Sequence, residues 1–235
     1  VVILIRSVAE LTDVPTPAWP AVREVFADAR APVEVLPVSP DAGASALYRL
    51  QVTTRSVLGA LAFHTGGVLV DHGWVRVLGG GHPGRGLPGL PDAAGFPDDP
   101  AQVNGPPPAL LVGYDVLGGR FEINGHDPAA TGRPGDPGQL CYFAPDTLEW
   151  EPLTVGGHAA WLEWLVSGHL GRFYEGLRWN GWEDDVAALP LDHGIAVYPF
   201  LFTEEGSDID ATTRRPAPIA ELFSWQNEMA ARFAR

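Results

Sequence analysis

Between Leu110 and Leu153 short apolar runs are separated by turn residues, the pattern of an antiparallel meander. LLVGYDV at 110–116 predicts a strand. Leu117-Gly118-Gly119 gives the backbone the φ > 0 freedom a tight reversal needs, and RFEIN at 120–124 alternates polar with apolar positions. Phe121 and Ile123 point to one face and Arg120, Glu122 and Asn124 to the other, so one side of this ribbon wants a core and the other tolerates water. QLCYF at 139–143, the turn 144–147 and LEWEPL at 148–153 predict a second hairpin.

Upstream, Trp19, Val22, Phe26 and Ala29 recur at helical spacing and predict a helix over 17–30. VEVLPV at 33–38 predicts a strand that Pro37 confines to an edge, followed by a turn at Pro40-Asp41. Residues 47–54 fit strand or helix. The stripe Val57, Leu58, Leu61, Ala62 predicts a helix over 56–64, which Thr65-Gly66-Gly67 would end by a left-handed cap. Residues 68–70 and 74–78 flank Asp71-His72-Gly73 as a hairpin. Positions 82–108 hold eight Pro and five Gly without apolar periodicity, so 79–108 is expected to be a long functional or mobile loop. A second polar connection spans 125–138. Past the meander, helices are expected over 158–168 and 170–177, packed on the buried face of the sheet. A turn follows at 179–182, then a short acidic-headed helix, a strand at 195–202 interrupted by Pro199, and a closing helix over 218–233.

The architecture expected is α+β: a twisted antiparallel sheet flanked by helices, one domain over 1–235 with its core at about 17–177 and an extension, 178–235, packed on it. If the strands alternate in direction, the loops 79–108 and 125–138 leave the same end of the sheet, and loops on a rigid sheet are where binding usually sits.

Charge narrows the function classes. There are 29 Asp and Glu against 15 basic residues, all of them arginine, for a net charge of −14. The absence of lysine excludes a Schiff-base or Walker-type lysine, and nothing clusters basic charge as nucleic acid requires. The acidity favours a basic protein partner. Cys141 is the single cysteine, so neither an internal disulfide nor a cysteine-rich metal site can form. No apolar run is long enough to span a membrane, VVILI lacks the flanks of a signal peptide, and the expected location is cytoplasmic.

No catalytic unit is legible, and no cofactor is expected. The histidines lack HExxH or HxH spacing, no G-x-S-x-G elbow occurs, and the glycines at 79–86 precede no phosphate-binding lysine, so no metal or catalytic residue is assigned. The residues chosen as candidate binding groups are His82, Arg85, His126, Asp127 and Arg133 in the two loops, with Trp179 and Trp182 as aromatic anchors. Set against this is a hydrolase or carbohydrate-binding protein using Asp115, Glu122, His126 or Asp127.

TGG at 65–67, GYDVLGG at 113–119, RFEIN, QLCYFAPDTLEWEPL and HAAWLEWLVSG together resemble the SUKH superfamily over about residues 56–177. That resemblance implies an α+β fold and the role of a cell-wall-synthesis regulator or of an immunity protein that neutralises a toxin. Thr65 and Asn124 depart from the superfamily's usual Asn and Asp, and 82–108 and 178–235 lie outside its usual domain. The whole chain is also similar to an uncharacterised bacterial domain family marked by TGGVLVDHGWVRVLGGG, VGYDVLGG, YFAPDTLEWE and VYPFLF. The function expected is that of a non-enzymatic protein-binding module acting on a basic partner such as a toxin, with its oligomeric state left open.

Overall fold

A computed structural model describes residues 4–233. The fold is α+β, and seven strands form one antiparallel sheet in sequence order: β1 (Val33–Leu36), β2 (Gly67–Val70), β3 (Val75–Leu78), β4 (Ala109–Asp115), β5 (Arg120–Asn124), β6 (Leu140–Ala144) and β7 (Glu149–Pro152). The predicted meander is therefore the last four strands of a longer one. Asp71, His72 and Gly73 all have positive φ and make the expected β2–β3 hairpin turn. Pro37 closes the edge strand β1.

Helices cover one face. α1 (Val8–Thr12) opens with a capping box between Ser7 and Glu10, and α2 (Trp19–Ala27) buries Val22. α3 (Pro40–Leu50) corrects the expected turn at Pro40-Asp41: Ser39 Oγ accepts from Ala42 N at 3.2 Å and Pro40 occupies the first turn, where a missing N–H costs nothing. The ambiguous stretch from residue 47 is thus helical to Leu50, and Gln51 ends it at φ +53. α4 (Val57–His64) is capped by Ser56, but its end is not the predicted left-handed cap. Thr65 is extended, its hydroxyl donates to the Leu61 carbonyl, and the chain passes straight into β2.

The loop 79–108 is not structureless. It contains α5 (Leu90–Ala93), buries Leu87 and Leu90, and is held to α3 by Arg49, which bonds Asp92 and the carbonyls of Phe96 and Pro97. α6 (His158–Val166) lays Trp161 against Phe121 at 5.2 Å, and α7 (Leu170–Phe173), shorter than predicted, carries Tyr174 beneath the sheet.

α8 (Trp182–Ala187) leads to a second sheet, β8 (His193–Tyr198) paired with β9 (Thr213–Pro218), and to α9 (Ile219–Phe233). β8 stops at a cis Tyr198–Pro199 bond, before the predicted 202, and β9 has no counterpart in the prediction because Pro216 and Pro218 argue against a strand. These elements cover the other face of the large sheet. Phe223 meets Tyr114 at 5.7 Å, and Tyr114 and Arg76 both donate to the Leu191 carbonyl at 2.9 Å. The face expected to tolerate water is consequently buried, with Arg120, Glu122 and Asn124 at 6, 8 and 3 % exposure.

Candidate functional site

The buried polar face fixes where a site can open. Arg120 stacks over Phe143 at 4.2 Å, approaches Phe223 at 5.3 Å and donates to Asn227 at 2.8 Å, so α9 is held down through one guanidinium. Burial pulls this arginine down to about 10. Cys141 shares the face, and burial there pushes its thiol up to about 12, away from thiolate chemistry.

The GYDVLGG segment explains itself through Asp115. Its carboxylate, fully buried, accepts from Leu117 N and Gly119 N at 2.9 Å on one oxygen and from Tyr142 Oη at 2.6 Å and Tyr174 Oη at 3.0 Å on the other. Burial raises this carboxyl against the pull of its four donors. One side chain thus shapes the β4–β5 turn and ties β6 to the segment after α7. Glu122 lies on the opposite face, bonded to Arg133 at 2.5 Å, while His126 and Asp127 are exposed. The four residues of the hydrolase reading do not converge on one cleft.

The candidate binding groups divide between the two sides of the sheet. Arg85 bonds Glu34 of β1 at 2.6 Å, and His82 pairs its backbone with Leu87. Trp182 packs on Trp74 at 5.1 Å. Trp179 is 2 % exposed, with its indole N–H on Asp185, and serves as core. On the other side Arg133 stacks over Trp150 of β7 at 4.3 Å, and Asp127 accepts from Ala130 N. The two loops leave the same end of the sheet, as Gly125 N donating to the Pro108 carbonyl shows. However, Glu34 and Glu122 stand four strand spacings apart, about 19 Å.

A largely apolar cleft lies at the other end, where the tight turns are. It is about 330 Å³, sits between the β8–β9 hairpin and α9, and is bounded by Leu117 and Pro145 of the two turns. Phe200, Phe202 and Trp225 form its aromatic wall; Glu221, Gln226 and Arg215 are its polar groups. The readable signal was VYPFLF, whose aromatic residues Tyr198, Phe200 and Phe202 alternate: Tyr198 is 65 % exposed and the two Phe rings are half-buried. An edge or bulged strand running through to residue 202 would hide that. Among the described residues no group of three or more His, Cys, Asp or Glu is placed to hold a metal ion, and no helix is long and apolar enough to cross a membrane.

The family model described as protein of unknown function DUF2625 matches residues 8–222. The chain belongs to this family. It is 37% identical to the putative uncharacterized protein YbfG of Escherichia coli (strain K12), over 98% of this chain and 100% of the relative. It is 30% identical to an uncharacterized protein of Haemophilus influenzae (strain ATCC 51907 / DSM 11121 / KW20 / Rd), over 91% of this chain and 90% of the relative. No solved structure matches it. The family match thus spans the meander and the β8–β9 hairpin and ends at Leu222 in the first turn of α9, before Trp225 and Gln226 of the cleft.

Proposed function

We propose that the protein is a non-enzymatic binding module that captures a basic polypeptide partner through the aromatic cleft and the acidic edge beside it. The observation that carries this reading is that the cleft opens beside an acidic turn and edge. Pro145 lines the cleft and Asp146 follows it, while Glu149 and Glu151 are exposed on the edge strand β7, on the Tyr142 face and opposite the Trp150 face that α9 covers. An aromatic anchor with a charged rim is the common anatomy of a protein-recognition surface. Burial and the neighbouring Asp146 and Glu149 raise the Glu151 carboxyl, a sign of crowded negative charge that a cation would relieve. A net charge of −14 would also speed encounter with a basic partner, by about 10-fold to 10³-fold at low salt.

The likeness to SUKH proteins supports an immunity or regulatory role, with a basic toxin as the partner. The test is co-purification from the native cell at low salt, followed by cross-linking. A defined basic protein should be retained, cross-link near α9 or β7, and be released by Trp225→Ala or by Glu149→Lys with Glu151→Lys. Retention of nothing, or of a partner indifferent to these changes, would overturn the reading.

A further inference from the structure

We propose that the cleft between the β8–β9 hairpin and α9 is a guanidinium pocket that receives an arginine side chain of a basic polypeptide. This rests on the binding role above and names what the cleft recognises.

Three independent features converge there. The first is the wall. Phe200 and Phe202 lie 5.4 Å apart at 14°, Phe202 and Trp225 are 5.8 Å apart at 28°, and Phe200 and Trp225 4.5 Å apart at a tilt of 38°, so three half-buried rings pack on one another and leave only the outer faces of the cluster to a guest. A planar, weakly hydrated cation stacks on such faces better than a compact ammonium does.

The second is the floor. Gln226 is 3 % exposed and its Nε2 donates to the Leu117 carbonyl at 2.8 Å, which settles which way round the amide lies. Its Oε1 is then a buried acceptor without a partner among the described residues. A ligand N–H would satisfy it.

The third is the rim. Glu221 precedes Trp225 by one helical turn and so shares its face of α9; it is exposed and makes no ion pair among the described residues. A π face, a neutral acceptor and a carboxylate together call for a flat cation with several donors, and guanidinium is the side-chain group that offers them.

Arg215 is the one cation lining the cleft among the described residues, exposed on β9. Its presence makes the proposal sharp, because a cationic guest is attracted by Glu221 and repelled by Arg215, and an anionic guest the reverse.

The experiment uses the full chain and follows the indole N–H resonance of Trp225, assigned with Trp225→Phe, during titration with the capped tripeptide Gly-Arg-Gly and its citrulline, lysine and glutamate counterparts. The arginine peptide should move that resonance and bind about 10-fold more tightly than the citrulline peptide, which has the same shape without the charge. Glu221→Gln should weaken it about threefold to fivefold, and Arg215→Gln should leave it unchanged or tighter. Both changes are at exposed positions, and a thermal melt checks that the variants are folded.

Equal binding of arginine and citrulline, tighter binding in Glu221→Gln together with weaker binding in Arg215→Gln, or no shift with any arginine peptide would overturn the pocket. If a partner is captured and released by Trp225→Ala while Glu221→Gln and the peptides have no effect, the pocket fails and the binding role stands. If arginine peptides bind while no partner is retained, the binding role fails and the pocket stands.

Discussion

The amide of Gln226 in α9 lies directly against Gly118 in the β4–β5 turn: a Cβ built on Gly118 would stand 2.6 Å from Gln226 Nε2. More than a hundred residues apart in sequence, the two explain each other. Gly118 adopts φ +87, which an L side chain resists, and its missing side chain leaves the space into which Gln226 reaches to bond Leu117. Gly118→Ala should therefore cost about 2–4 kcal/mol, through backbone strain and displacement of the amide. Gln226→Ala, which leaves the Leu117 carbonyl unpaired, should cost about 1–3 kcal/mol. Urea unfolding of both variants and of the double variant checks this, since shared contact predicts that the two losses do not add.

Asp115 makes a second prediction. Asparagine preserves its shape but converts one acceptor oxygen into a donor, setting an NH₂ against either two tyrosine hydroxyls or two backbone N–H groups. Asp115→Asn should cost about 3–5 kcal/mol, while Tyr174→Phe, which removes one of four donors, should cost about 1–2 kcal/mol. Chemical denaturation at neutral pH separates the two. Losses of equal size would show that the carboxylate does not act as the shared anchor.

What could be read from the sequence and what could not divides along physical lines. The meander was legible because Phe121 and Ile123 alternate with polar neighbours and Gly118 punctuates them, all local signals. The fate of the polar face was not, because Arg120, Glu122 and Asn124 carry the same signature whether water or another layer covers them. The cover, Phe223 and Asn227 on α9, comes from about a hundred residues downstream. β9 was hidden by its prolines. The cleft was missed for a related reason: loops that leave one end of a sheet look like a functional surface, whereas its wall joins VYPFLF to Trp225, a pairing that only the packing of α9 reveals.

His158 predicts a dependence on pH. Although the residue is half-buried overall, both ring nitrogens are shut from solvent without a partner among the described residues, and burial pulls the imidazole down to about 4. In the unfolded chain it titrates near 6.5. Between those values the unfolded state binds a proton that the native state refuses, so stability rises with pH across this window and falls on acidification below about 6.5. The loss approaches about 3 kcal/mol once pH reaches 4. The many carboxylates also titrate here, so the informative quantity is the difference between wild type and His158→Leu in urea midpoints from pH 7 to 4. The variant should lose less stability; parallel curves would show that His158 is protonated in the native state.

Two tryptophans one helical turn apart provide the last contrast. Trp161 is fully buried on α6, packed on Phe121 and close enough to β4 that a Cβ on Gly113 would stand 3.1 Å from its ring. Trp164 is half-buried and edges onto Phe173 at 5.1 Å. Gly113 is thus glycine because the sheet yields its surface to the indole of Trp161. Trp161→Ala should cost about 3–5 kcal/mol, since β4 lies under the lost ring and cannot collapse into the space without breaking its pairing. Trp164→Ala should cost less than half as much, because water already reaches part of that ring. Unfolding midpoints of the two variants decide it. A larger loss at Trp164 would mean that α6 is anchored through Phe173 and α7 rather than through the sheet.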